Sequence, residues 1–342
     1  MQFTTQRGGR ASRTAVLAGI GGWVPPGRLT NADLERRLGV SDEWITSRTG
    51  ITARHVNDAD AATSDLAVSA GSRALDMAGH PAVDVVVLAT TTPDFPCPAT
   101  APSVAARLGL PNVPAFDVNA VCSGFVYGLS VSTSMIVSGL AESVLLIAAD
   151  TFTTLVNPQD QVVAPLFGDG AGAVVLRAGS FGDDGQVLAF DLGSNGNQAD
   201  LIIKSAGGSR HPLPLDGDRD YLRMDGRAVF RHAVRRMTAS SSDILRTVGW
   251  DSAELDLLVG HQANLRILRA VATNLGLPEN RCYVNLDRVG NTAAASIPLA
   301  LADAMQAGLL APGKKVLLTS FGAGSTWASA ALTWPKLDHL RP

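Results

Sequence analysis

Three residues of this 342-residue chain have types and settings that allow them to do chemistry together. Cys122 follows the strand-like run at 115–119 and begins a helical stretch, with Ser123-Gly124 permitting a sharp turn. Unpaired N–H groups at a helix amino end favour negative charge. That placement predicts a thiol pKa below the free value of about 8.5, and amides able to bind an oxyanion. His261 directly follows the apolar run at 255–260, so its imidazole stands at the end of a buried strand, well placed for a pocket. Asn291 opens a second helical stretch after Val289-Gly290, with Thr292 beside it. Each has a structural role equally ready: a small core cysteine, a hydrogen-bonded core histidine, a helix N-cap. What argues for chemistry is their placement, because Cys122 and Asn291 fall at what read as equivalent points of two similar halves.

The elements that must position them are those of an α/β protein. Runs at 83–91, 143–149, 255–260 and 315–319 read as buried strands, and 122–140 and 291–309 have the length and Ala/Ser/Leu content of buried helices. Strand–helix alternation predicts mostly parallel sheets. In each half a helix leads to a strand and then to a glycine-rich turn, Phe167-Gly-Asp-Gly-Ala-Gly172 in the first and Phe321-Gly-Ala-Gly324 in the second. The expected organisation is a tail over 1–13, a first half over 14–182 carrying the cysteine, and a second over 183–342 carrying the histidine and asparagine, divided in the polar stretch near 179–185.

Other chemistries find no support. Gly19-Ile-Gly21-Gly22 runs into Pro25-Pro26, which blocks the helix a dinucleotide loop requires, and Gly168-Asp-Gly-Ala-Gly lacks the Lys-Ser/Thr of a phosphate loop. No His/Cys spacing suggests a metal. His55, His80, His211 and His339 sit in polar surroundings typical of the surface. A net charge of −3 provides no field for nucleic acid. Three cysteines, Cys97, Cys122 and Cys282, read as reduced thiols of a cytoplasmic protein. No apolar run spans a bilayer. Arg7, Arg10 and Arg13 before the apolar stretch at 15–20 imitate a signal peptide, but that stretch is short and ends without a cleavage site, so a basic tail before a first core strand is expected.

Six segments, in order, resemble the β-ketoacyl-acyl-carrier-protein synthase III family of thiolase-like condensing enzymes. They are Ser41-Asp-Glu-Trp-Ile-Thr-Ser-Arg-Thr-Gly-Ile51, Ala120-Val-Cys-Ser-Gly-Phe125, Phe167-Gly-Asp-Gly-Ala-Gly172, His261-Gln-Ala-Asn-Leu-Arg266, Gly290-Asn-Thr292 and Phe321-Gly-Ala-Gly324. The resemblance implies a layered αβαβα fold of two duplicated halves and a homodimer. It implies that Cys122 takes an acyl group from acyl-CoA, that His261 and Asn291 stabilise the enolate left when malonyl-carrier protein loses CO2, and that backbone N–H groups of Cys122 and Ala323 hold the oxyanion. Phe321 would shape the decarboxylation site, and no cofactor is implied. Trp44, Arg48, Asn264 and Arg266 would contact coenzyme A, and Gln161 stands where well-known members place an arginine. Cys97 takes the place of a primer-tunnel residue. Arg231, Arg235 and Arg236, with Arg266 and Arg269, form an expected docking patch for the acidic carrier protein. The alternatives are a relative that moves the acyl group from Cys122 to a hydroxyl or amine, an inactive partner subunit, and a degradative thiolase. The last would need a second cysteine near the carboxyl end, which Phe321-Gly-Ala-Gly324 lacks.

Overall fold

Apolar runs without polar alternation suit strands that are covered on both faces. The computed structural model describes residues 13–212 and 220–337. A first sheet contains β1 (Arg13–Trp23), β2 (Val85–Ala89), β3 (Ala115–Val118), β4 (Ser143–Asp150) and β5 (Gly170–Ser180), in the order β1-β5-β4-β2-β3. A second contains β6 (Val187–Gly193), β7 (Leu257–Gly260), β8 (Lys315–Gly322) and β9 (Thr326–Thr333), in the order β7-β8-β9-β6. Successive residues of a strand enter opposite cores. Val85, Val87, Val144 and Leu146 join one apolar cluster, whereas Val86, Leu88, Leu145 and Ile147 join another.

The helices used below are α1 (Asn31–Leu38), α2 (Asp42–Thr49), α3 (Thr63–Met77), α4 (Gly124–Val137), α5 (Gly226–Val248), α6 (Leu265–Asn274) and α7 (Ser296–Gln306). Phe125, Val126 and Leu129 of α4 and Ile297, Ala300 and Leu301 of α7 share one cluster with residues of both sheets, so these two helices lie between the sheets. Leu66, Ala67 and Ala70 of α3 cover the other face of the first sheet. Met237 and Ile244 of α5 and Ile267 and Val271 of α6 cover the other face of the second. The result is the expected five-layer αβαβα arrangement.

Three expectations change. The sheets are mixed, since β1–β5, β5–β4, β8–β9 and β9–β6 are all antiparallel. The short turn at 323–325 between β8 and β9 allows no parallel crossover. Both central helices start later than expected, each behind a 3₁₀ turn, Val121–Ser123 before α4 and Ala293–Ala295 before α7. Arg13, expected in the tail, is the first residue of β1 and bonds the carbonyls of Ile136 and Ala141. The rest of that tail, with Arg7 and Arg10, and also His339, lies outside the described residues.

A small hairpin of Arg28–Thr30 and Ala53–His55 leads to and from α1 and α2. Arg54 fastens it to the site. Its fully buried guanidinium donates to Leu29 O, Asn31 Oδ1 and Pro165 O, the last just before the Phe167-Gly168 segment. An Arg54→Met variant leaves these acceptors unanswered and is expected to lose about 2–3 kcal/mol of stability. Urea unfolding should show this as a lower midpoint at unchanged slope.

Candidate active site

Cys122 lies in the turn Val121–Ser123, 8% exposed. The turn is drawn tight locally, with Asn119 Oδ1 accepting the Val121 N–H at 3.1 Å and Val121 held at φ 48°. The end of β8 closes directly on it. A Cβ at Gly322 would stand 2.9 Å from the Cys122 nitrogen, so the absence of a side chain lets the strand approach that amide. Phe321, just before, is buried in the core of the second sheet's outer face, and the half-buried Ala323 opens the turn Ala323–Ser325.

The turn before α7 repeats this construction. Asn291 Oδ1 accepts the Ala293 N–H at 3.0 Å, and Ala293 also has φ 48°. Asn119, Val121 and Cys122 therefore correspond to Asn291, Ala293 and Ala294. The same numerical increment relates Val85 to Leu257, Val144 to Val316 and Asp150 to Gly322, each at matching places in the strand pairings. The expected equivalence of Cys122 and Asn291 is thus corrected: the twin of Cys122 is Ala294, and the twin of Asn291 is Asn119. Asn291 does cap, but it caps the 3₁₀ turn through Oδ1. Its Nδ2 donates to no other described residue, leaving that N–H₂ as the group available to a ligand. The Asn291 backbone is held by Leu166 O at 2.8 Å and by the Gly168 N–H at 3.0 Å, so the Phe167-Gly168 segment fixes its position. The two turns meet, because a Cβ at Gly124 would lie 3.2 Å from that of Ala294.

His261 emerges from β7 beside β8, its N–H donating to Thr319 O at 2.8 Å. Nδ1 is buried with no hydrogen-bond partner among the described residues. Gln262 anchors the following loop, donating to Gly260 O and Tyr283 O and accepting the N–H groups of Asn285 and Leu286. Sequence reasoning does not single out Gln262 or Asp150. For Asp150 the available signal is a carboxylate closing an otherwise apolar run. Among the described residues no cluster of His, Cys, Asp or Glu is placed to hold a metal ion.

The expected coenzyme A residues lie on or beside α1, α2 and α6. Ser41 caps α2 by accepting the Trp44 N–H, and Gly50 at φ 82° ends it. Along the helix the Arg48 guanidinium carbon lies 4.4 Å from the Trp44 ring centre. Asn264 is occupied structurally: Oδ1 accepts the Arg266 N–H and Nδ2 donates to the Arg48 carbonyl, which brings α2 and α6 together. Arg266 is exposed beside Phe230. Gln161 Nε2 donates to Leu38 O at 2.9 Å. Arg231 and Arg235 line an open groove of about 530 Å³ with Phe230, Val234 and Asn274. Two further members of the expected docking patch have partners within the chain. Arg236 is stacked on Trp327 at 4.2 Å, and Arg269 is paired with Glu279 at 2.6 Å. Cys97 is exposed, so within one chain it does not line a buried tunnel.

Burial pushes the Cys122 thiol up to about 12, and the Asp150 carboxylate adds to the effect. This overturns the depression expected from a helix amino end, because desolvation outweighs the partial charge of the amides. Burial also drives His261 down to about 3, so thiol and imidazole are both uncharged at neutral pH. For His261 the unfolded chain, titrating near pH 6.5, binds the proton that the folded chain refuses. The corresponding stability is present above about pH 6.5 and is lost as pH falls toward 3. Lowering the pH from about 7 to about 5.5 should cost the wild type about 1 kcal/mol more than His261→Gln in urea unfolding. Equal losses would contradict a buried neutral imidazole.

Comparison with known proteins agrees with this architecture. Residues 116–196 match the family model described as 3-oxoacyl-[acyl-carrier-protein (ACP)] synthase III, and residues 245–334 match its C-terminal model. The β-ketoacyl-[acyl-carrier-protein] synthase III 5 of Streptomyces coelicolor is 54% identical over 96% of this chain and 100% of its own length. The crystal structure of the Pseudomonas aeruginosa 3-oxoacyl-(acyl carrier protein) synthase III superposes with a TM-score of 0.90 at 51% identity, covering 95% of this chain and 100% of that one. The priming β-ketosynthase of the R1128 polyketide biosynthetic pathway superposes with a TM-score of 0.88 at 31% identity, covering 96% and 98%. With about half of all residues shared along nearly the full length of both chains, and five layers laid down in the same way, this chain belongs to the β-ketoacyl-acyl-carrier-protein synthase III family.

Proposed function

We propose that Cys122 and Asn291, from the two matching turns, and His261, from the end of β7, carry out the condensing reaction of this family. The enzyme joins an acyl primer from acyl-CoA to malonyl-acyl-carrier protein, releasing CO2 and 3-oxoacyl-carrier protein, which starts a fatty-acid or polyketide chain. The observation that carries the assignment to these residues is the close approach of β8 to Cys122, where glycine at 322 sets no side chain against the buried backbone amide. In the first half-reaction the sulfur bonds to the acyl carbon, the bond to the coenzyme A sulfur breaks, and the thiol proton leaves with coenzyme A. In the second, the malonyl C–CO2 bond breaks, and its electron pair enters an enolate stabilised by N–H donors of His261 and Asn291. That carbon bonds to the acyl carbon, and Cys122 departs as thiolate and takes up a proton. Backbone N–H groups of Cys122 and Ala323 hold the tetrahedral oxyanion, and Phe321 bounds the malonyl position. The donors are the protein's own and the electrons come from the broken C–C bond, so no cofactor is needed.

Trp44, Arg48 and Arg266 form the entrance for coenzyme A, and Arg231, Arg235 and Arg266 the surface for the carrier protein, supported by the exposure of the four arginines and by the groove that Arg231 and Arg235 line. The division into halves at 182/183 falls between β5 and β6 and is supported by the repeated turns. A homodimer is supported by β3, which stands at the edge of its sheet with its outer side unpaired among the described residues. Asp117 of that strand binds the N–H groups of Thr100 and Ala101, so the loop carrying exposed Phe95 and Cys97 adjoins the same edge. Pairing along β3 would cover this loop and bring Cys97 toward a primer. Among the described residues no helix is long and apolar enough to cross a membrane. A cytoplasmic location is part of the proposal and rests on the three free cysteines.

Intact masses after mixing the enzyme with acyl-CoAs of several lengths and then malonyl-carrier protein test the reaction. The expected product is a carrier heavier by the acyl group and lighter by CO2, absent with Cys122→Ala. Acyl-enzyme beside unchanged malonyl-carrier would point to transfer onto a hydroxyl or amine. In the same assay Arg231→Glu should raise KM for malonyl-carrier about tenfold, with strong salt dependence, and leave acylation of Cys122 unchanged.

A further inference from the structure

The correspondence between the two turns extends one step beyond the catalytic side chains. Where glycine at 322 faces the amide of Cys122, its twin Asp150 faces the amide of Ala294, and Asp150 Oδ2 accepts the Ala294 N–H at 3.1 Å. The other oxygen, Oδ1, accepts from Thr91 N at 2.7 Å, Thr92 Oγ1 at 3.1 Å, and Thr92 N and Thr90 Oγ1 at 3.2 Å. These donors fix the carboxylate from the first half while Oδ2 reaches across to the second. Asp150 is fully buried, and among the described residues it has no ion-pair partner. An unpaired buried carboxylate is costly, and its twin position shows that the fold can accommodate glycine there. The group that remains satisfied by its presence is the amide of the turn that carries Asn291.

We infer that Asp150 is a positioning residue for Asn291: its carboxylate occupies, on the silent twin of the nucleophile turn, the place that the reaction oxyanion takes on Cys122, and thereby clamps the turn from which Asn291 projects. The inference rests on the proposed role of Asn291 in decarboxylation. Burial raises Asp150 to about 6, opposed by its hydrogen bonds, so the carboxylate is predominantly charged at neutral pH. That charge acts on the Cys122 thiol, whose ionisation it opposes. Asp150 therefore has a second measurable consequence, since it helps to keep the nucleophile protonated at rest.

The test is Asp150→Asn, which keeps the shape but cannot supply acceptors to both the threonines and the Ala294 N–H. Decarboxylation of malonyl-carrier protein is expected to fall about 10- to 100-fold in kcat with KM changed less than about twofold, a smaller loss than removal of the Asn291 donor itself. Acylation of Cys122 should change less than about threefold. Alkylation of Cys122 by iodoacetamide should shift its pH profile to lower pH, because a neighbouring negative charge has gone; a side chain that merely supports the fold would leave this profile in place. Asn291→Ala is measured alongside. If it abolishes decarboxylation while Asp150→Asn does not slow it, the inference fails and the role of Asn291 stands. If Asn291→Ala retains decarboxylation, the role of Asn291 fails and the inference with it. Equal loss of acylation and decarboxylation in Asp150→Asn also overturns the inference. Should that variant not fold, Thr90→Val removes one donor to the same carboxylate and should slow decarboxylation about threefold without slowing acylation; no change would overturn the inference.

Discussion

A helix enclosed on every side must bury its amino end, and the N–H groups exposed there have no intrahelical partners. α4 and α7 are in this position, each lying between two sheets, and much of the site follows from how their amino ends are satisfied. A 3₁₀ turn introduced by an asparagine tightens each end and leaves one amide directed at the strand beside it. On α7 that amide meets the Asp150 carboxylate. On α4 it faces Gly322, which carries no acceptor side chain. In the proposed reaction the Cys122 amide serves the oxyanion, which exists only while the tetrahedral intermediate does.

Much of this was legible in the sequence because the signals are local. Strand runs such as Val85–Ala89 and Ser143–Asp150 lack polar alternation, which already implies cover on both faces. Cys122, His261 and Asn291 stand just past such runs or before Ala-rich helices, where a site between layers would be built. What could not be read depends on distant partners. The lowered thiol pKa expected from the helix end ignored the apolar wall supplied by Phe152, Val163 and Phe167, which shares a cluster with Cys122. Spacing along the chain also does not show that Trp327 engages Arg236 or that Glu279 engages Arg269. The false pairing of Cys122 with Asn291 arose because a 3₁₀ turn and the first turn of an α-helix have the same composition. The true register appears only when the strand ladders are aligned.

In the proposed site the Cys122 thiol and the His261 imidazole are both uncharged at rest. An ion pair between them would gain little in so dry an enclosure, where separating charge from water costs several kcal/mol per ion. Donor groups suit the proposed reaction better than a strong base does, because loss of CO2 delivers the carbanion without removing a proton. The charge that passes through the site arrives with the substrate and is met by fixed dipoles already in place.

The unequal twins also bear on ancestry. A symmetric precursor would carry the same residue at both copies of each place, yet here cysteine faces alanine across the repeat and aspartate faces glycine. The two halves are complementary at these places, so neither can stand in for the other. A chain built from two first halves would set a carboxylate against the amide of each cysteine, and one built from two second halves would carry no cysteine at this place. Selection then acts on the pair of halves as one inseparable unit of inheritance.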